Sequence, residues 1–339
     1  MAERTHIGTD DLIVTRTPLR ISFAGGGTDL AAFYEMEQGA VLSTAIRKYI
    51  YVTVKRHGAL YGEPIRLNYS EAELTQDIAS IKNDIIRECL RFLKVDPPIY
   101  VSTVADVPEF SGLGSSSSFA VGLLNALHVL KGERISASQL AEEASHIEID
   151  VLRRPIGKQD HYAAAFGGLN FFCFNPDGSV AIEVQRIPEG VLSALFGHLL
   201  LFWTGIRRDA SSILHEQKAN TPGMRDELVS IRRHAHELHS ILCNGFDPLK
   251  FGRVLDETWT LKRRLASKVT NGRIDSWYTQ AKEAGAVGGK ICGAGGGGFL
   301  LLVTPPDRRQ SIRSALGDMT ELKIGYEAHG SRLLMPFAQ

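Results

Sequence analysis

Residues 108–118 read PEFSGLGSSSS and run without a break into the apolar stretch FAVGLLNALHVL at 119–130. Two glycines and five serines ahead of such a run place free backbone N–H groups and small hydroxyls at a helix N-terminus. There the orphan donors and the positive end of the peptide dipoles attract an anion. The stretch therefore reads as a phosphate cradle. A serine linker ending in a helix cap is the alternative, but a linker would not continue directly into an apolar helix. GxxxxGK[ST] is not present, because no lysine precedes the hydroxyl residues. The positive charge that a phosphate needs must come from a metal or from elsewhere in the chain.

A chain of 339 residues is long for one core, and two domains are expected, 1–185 and 186–339. Lys plus Arg and Asp plus Glu stand at 38 each, which removes a general electrostatic reason to bind nucleic acid or an anionic membrane. Cys89, Cys173, Cys243 and Cys292 lack zinc-site spacing and read as reduced thiols of a cytoplasmic protein. The polar start MAERTHIGTDD has no apolar core, and nowhere do 18 apolar residues run together. Neither export nor a membrane span is expected.

Along the chain, residues 12–17 and 19–24 read as two short strands around Pro18, followed by a turn at Gly25–Asp29. Residues 40–56, rich in β-branched and aromatic side chains, form a long bent strand or a hairpin, with 65–69 returning beside it. Apolar spacing predicts a helix over 77–93, then a strand over 99–104 that feeds the serine loop. Ser136 and Gln139 form a capping box for a helix whose stripe is Leu140, Ala144, Ile147 and Val151. Glu148 borders or enters that covered face, where a carboxylate needs a partner or a metal. A surface salt bridge to Arg153 or Arg154 is the alternative.

Lys158 and Asp160 follow in a loop, then a hairpin over 168–186. After an apolar strand at 198–204, Arg207 and Arg208 sit in a turn suited to an anionic group. Helices over 226–242, 248–266 and 271–284 follow. His234, His236 and His239 do not match HExxH and read as a solvated helix face. A glycine run at 293–298, a strand at 299–303, a helix at 308–316 and a strand at 322–327 complete an α+β chain.

TPLRISFAGGGTDL at 17–30, PEFSGLGSSSS at 108–118 and GGKICGAGGGGF at 288–299, in that order, resemble the three motifs of the GHMP small-molecule kinases. The resemblance implies a two-domain fold, a ribosomal-protein-like N-terminal domain and a ferredoxin-like C-terminal domain, with the active site between them. It implies ATP and Mg²⁺, with Pro108, Ser111, Gly112, Leu113, Gly114, Ser115, Ser116 and Ser117 around the triphosphate. Ser116 and Glu148 match the metal-binding positions, Asp160 the candidate base and Arg20 the arginine beside it, with Lys158 as a further cation. Gly26, Gly27, Thr28, Asp29, Gly295 and Gly296 fall at acceptor-binding positions. Gly26-Gly27 and His161 replace side chains of galactokinase, which widens the sugar pocket and suits a larger or phosphorylated sugar.

PIGKQDHYAAAFGGLNFF and LLLFWTGIRRDAS are similar to the D-glycero-D-manno-heptose 7-phosphate kinase group. That likeness implies phosphorylation of the anomeric hydroxyl, with Arg207, Arg208, Arg47 and Lys48 as candidates for the 7-phosphate. The expected partner is a small-molecule sugar phosphate. A homodimer, another anomeric sugar kinase and a non-catalytic sugar sensor are left open.

Overall fold

The computed structural model describes residues 12–57, 61–184, 187–207 and 210–334. The two strands expected around Pro18 are a single strand, β1 (Leu12–Ala24). A register shift between Pro18 and Leu19 against the partner strand accommodates the missing N–H. After a one-turn helix, α1 (Ala31–Tyr34), that partner is β2 (Gly39–Lys55), one continuous long strand. β3 (Ile65–Asn68) and β4 (Ala72–Thr75) form a hairpin.

The helix expected over 77–93 forms only as α2 (Asp84–Phe92), capped by Asn83, while Asp77 caps a separate turn at Ile78–Ser80. The apolar repeat spans both pieces because Ile81 and Ile85 are buried in the same core. Periodicity reports burial, not continuous hydrogen bonding. β5 (Ile99–Ala105) then pairs with both β2 and β3, so residues 65–69 lie beside β5, in parallel, and not beside β2 as expected.

α3 (Ser115–Leu130) lies across β1 and β2, where Thr15 Oγ1 donates to the Gly122 carbonyl at 2.8 Å. α4 (Ala137–Ser145) passes into a widened turn, His146–Val151, in which Leu152 N–H donates to the Ile147 carbonyl five residues back. That turn breaks the i, i+4 stripe. Glu148 becomes fully buried, whereas Val151, expected on the covered face, is exposed. α5 (Gln159–Phe166), β6 (Leu169–Phe174) and β7 (Val180–Val184) follow, with β6 pairing β2.

The second half contains α6 (Glu189–Gly197), β8 (Leu199–Trp203), α7 (Ser211–Asn220), α8 (Arg225–Cys243), α9 (Pro248–Lys262) and α10 (Gly272–Glu283). β9 (Gly288–Ile291), β10 (Phe299–Val303), α11 (Arg309–Ala315), β11 (Thr320–Glu321) and β12 (Arg332–Leu334) complete it. The antiparallel order β11-β8-β10-β9 is that of a ferredoxin-like sheet. Residues 322–327 are not a strand. The chain crosses back to the larger sheet, touching it through an Ile46–Tyr326 bridge before β12 pairs with β1. Among the described residues no helix is long and apolar enough to cross a membrane.

β1 is followed by Gly25, whose φ of +98° opens the turn of residues 25–29. A Cβ there would lie 1.9 Å from the Ala40 carbonyl oxygen. Gly25→Ala is expected to cost on the order of 3 kcal/mol, since overpacking and a left-handed φ act together. Urea denaturation reads this as a lower midpoint, and an unchanged midpoint would refute it.

Candidate active site

Two cavities share a wall. The larger, about 490 Å³, is lined by the serine loop, Tyr69, Asp84, Glu148 and Arg154. The smaller, about 80 Å³, is lined by Gly26, Gly27, Asp29, Gln159, Gln217, Lys262 and Lys290. Arg20 and Asp160 line both.

The loop wall is backbone held by backbone. Gly112 and Gly114 have φ near +80°, which turns the chain into α3 with no side-chain cap on its N-terminus. A Cβ on Gly112 would lie 2.6 Å from the Cys292 carbonyl oxygen, and one on Gly293 2.7 Å from Gly112 Cα. The third glycine motif thus braces the second. Ser111, Gly112 and Gly114 to Ser117 face the larger cavity. Pro108 is exposed and Leu113 buried behind the loop, and neither lines a cavity. Gly293 and Ala294 reach both cavities, while Gly295 and Gly296 turn away towards Val269.

Asp160 stands on the first turn of α5, not in a loop. Arg20 grips it from β1, Nε to Oδ1 at 2.6 Å and Nη2 to Oδ2 at 2.5 Å, while Nη1 donates to the Gly112 carbonyl at 2.7 Å. Burial pulls the guanidinium's pKa down, but the charge and hydrogen bonds of Asp160 outweigh it and hold it above its ordinary value. Lys158 lies apart: its ammonium donates to the Gly178 carbonyl at 2.7 Å and pairs with Glu142 at 3.6 Å, and it lines neither cavity.

Asp29 lies in the smaller cavity, its Oδ1 accepting from Gly27 N–H at 2.9 Å. Burial raises its pKa despite that bond. Thr28 is fully buried and ties the turn to β2, its Oγ1 accepting from Ala40 N–H at 3.0 Å. The space expected beside Gly27 is taken by Gln217 of α7, whose amide nitrogen would lie 2.4 Å from an added Cβ.

Glu148 enters the covered face and is fully buried, so its pairing with Arg154 is not the surface salt bridge of the alternative reading. Ser116 Oγ donates to its Oε1 at 2.5 Å, Arg154 Nη1 to the same oxygen at 2.6 Å, and His161 Nε2 lies 2.8 Å from Oε2. Burial would raise its pKa, but His161, Arg154 and Ser116 prevail and hold it down at about 2.

Lys262 and Lys290 escaped the sequence reading. The Lys262 ammonium donates to the Gly293 carbonyl, and burial with the charge of Arg20 lowers its pKa to about 8. Lys290 donates to the Ser22 carbonyl at 2.7 Å, and burial with the charge of Lys262 drives its pKa well down. One signal was available: Val254, Thr258 and Lys262 repeat every fourth residue on the buried face of α9.

Of the proposed anion-binding residues, Arg207 is exposed and lines neither cavity, although Ala210 and Ser211 of the same segment line the larger one. Arg47 donates to the Tyr326 carbonyl at 2.9 Å, and like Lys48 it lines neither cavity. Arg208 lies outside the described residues. His236 and His239 pack on the Phe171 ring, each with centroids 4.7 Å apart, so this helix face is not purely solvated as expected. Among the described residues no three His, Cys, Asp or Glu side chains gather where they could hold a metal.

A large cavity floored by helix-start N–H groups, sharing a carboxylate with a small polar pocket, defines a small-molecule phosphotransferase. Residues 80–168 match the model of the GHMP kinases N terminal domain, and 237–321 that of the GHMP kinases C terminal domain. The chain is 30% identical to a D-glycero-alpha-D-manno-heptose 7-phosphate kinase of Campylobacter jejuni over 90% of its own length and 93% of that protein. It is 25% identical to a galactokinase of Pyrococcus furiosus, over 90% and 92%. Among solved structures, a D-glycero-D-manno-heptose 1-phosphate kinase from Bacteroides thetaiotaomicron superposes with a TM-score of 0.79 at 23% identity, over 96% of this chain and 100% of that one. The chain belongs to the GHMP kinase family. It is an ATP-dependent kinase acting on a small-molecule sugar.

Proposed function

We propose that the chain transfers the γ-phosphoryl group of ATP to the anomeric hydroxyl of D-glycero-D-manno-heptose 7-phosphate, giving the 1,7-bisphosphate for GDP-heptose formation in the cytoplasm. One observation carries this reading: Asp160 stands on the wall common to the loop cavity and a pocket that holds polar atoms in need of partners. Among the described residues, Ser22 Oγ and Gln159 Oε1 are buried at that pocket without a hydrogen bond. Sugar hydroxyls, which donate and accept, are suited to both.

In the proposed reaction, Asp160 takes or orients the proton of the acceptor hydroxyl. The freed oxygen attacks the γ-phosphorus as the bond to the ADP oxygen breaks. Arg20 fixes the carboxylate in direction through two hydrogen bonds, and the serine-loop N–H groups hold the donor triphosphate. Ser116 and Glu148, adjacent hard oxygen donors with the carboxylate held ionised, would hold a Mg²⁺ ion once their mutual hydrogen bond and the Arg154 contact are given up. Such an ion neutralises charge on the transferred phosphoryl group. Lys158 is left out, being engaged elsewhere.

Arg20 and Lys262 offset Asp29 and Asp160 around the small pocket, which leaves it able to take an anionic acceptor, while Lys290, its pKa driven well down by burial, is not counted as a cation. Arg207, exposed three residues before the cavity-lining Ala210, is the retained candidate for the distal phosphate. The test is ADP release with heptose 7-phosphate, free heptose, fucose and galactose. The phosphorylated heptose should exceed the free sugar in kcat/KM by about ten-fold or more, the worth of one charge-assisted contact. Equal rates for the two heptoses would remove the substrate assignment, and no transfer to any sugar would favour a sensor.

A further inference from the structure

We propose that Arg154 is a built-in counter-ion of the Ser116–Glu148 pair, which a divalent cation must displace and which then turns onto the donor's phosphates. The proposal rests on the kinase reading above and adds a residue to it. Nη1 of Arg154 lies 2.7 Å from Ser116 Oγ and 2.6 Å from Glu148 Oε1, while Nη2 lies 2.8 and 3.1 Å from the two Asp84 oxygens. All four residues line the larger cavity.

Glu148 has no oxygen to spare. His161, itself fully buried, occupies Oε2, and Arg154 shares Oε1 with Ser116. Two cations on one oxygen repel strongly away from water, so a divalent ion on Ser116 and Glu148 requires Nη1 to leave. Asp84 decides where the guanidinium goes. It stands on the first turn of α2 at the cavity wall with its side chain 42% exposed, and its hold on Nη2 keeps Arg154 beside the serine loop as Nη1 swings free. A planar fork released there meets phosphate oxygens in the geometry that suits it. In the nucleotide-free protein the same residue keeps the buried carboxylate paired. One arginine thereby serves both states.

Mg²⁺ titrated alone, without nucleotide or sugar, tests this through the unfolding temperature. Arg154→Met should unfold earlier than the unmodified protein in EDTA, yet be stabilised at Mg²⁺ concentrations roughly ten-fold lower. Asp84→Asn, which leaves Arg154 wholly to Glu148, should raise the Mg²⁺ requirement. Opposite shifts are not expected of a purely structural ion pair. If the methionine variant does not fold, the Asp84→Asn shift decides alone. Equal Mg²⁺ midpoints in the variants and the unmodified protein would overturn the proposal. Glu148→Gln separates the two readings: it should abolish stabilisation by Mg²⁺, and if it does not, the metal assignment itself fails.

Discussion

Asp160→Asn is expected to lower kcat by about 10³-fold while leaving ATP affinity within a factor of about three, since a positioned general base contributes on that scale and the donor is held elsewhere. The amide cannot accept a proton, so the acceptor hydroxyl must lose its own to water. Orientation is lost as well. A carboxylate offers Arg20 two acceptors, at 2.6 and 2.5 Å. An asparagine offers one, and its NH₂ faces a guanidinium N–H. ATP affinity is spared because the donor is held by the N–H groups of the serine loop that begins α3, whereas Asp160 on α5 faces the same cavity with a carboxylate that offers a phosphate no donor. Single-turnover rates with saturating ATP and a nucleotide-binding titration read the two halves separately. A loss of less than ten-fold would remove Asp160 as the base and leave it an orienting group.

What the sequence made legible was the part of the site built from backbone. Gly112 must be small because the Cys292 carbonyl approaches it closely, and Gly114 because Arg20 and Asp160 do, so their residue types betray their place in the loop. The glutamate at 148 was readable from its spacing to Ala144 until the widened turn at residues 146–151 shifted the register and exposed Val151. Contacts between side chains far apart in the chain were not readable. Arg20 and Asp160 are 140 positions apart and were joined only through resemblance to a family. Lys262 and Lys290 reach the smaller pocket from the second half of the chain, where nothing local says that a lysine on a buried stripe points into a cavity. Lys158 shows the converse: its nearness in sequence to Asp160 suggested a shared task, but two residues along the chain its side chain points to the β6–β7 turn.

Arg20→Lys is expected to be nearly as damaging as removing the base, lowering kcat by about 10²-fold although the charge is kept. The guanidinium makes three bonds in one plane, two to Asp160 and one to the Gly112 carbonyl, and its own backbone N–H donates to the Leu113 carbonyl at 3.0 Å. β1, the serine loop and Asp160 are therefore held in register by one side chain that is 4% exposed. A lysine ammonium cannot span both carboxylate oxygens and a carbonyl with that rigidity. Stability should fall by about 1–3 kcal/mol, below the usual cost of breaking a buried pair because Asp160 keeps some access to water. The two effects have different meanings and can be separated. If Arg20 acts through the base, Arg20→Lys in the Asp160→Asn background should add little further loss in kcat, because the group it positions is already gone. If it only braces the loop, the losses should multiply. A double-mutant cycle in single-turnover rate distinguishes the two, and full multiplication would refute the positioning role.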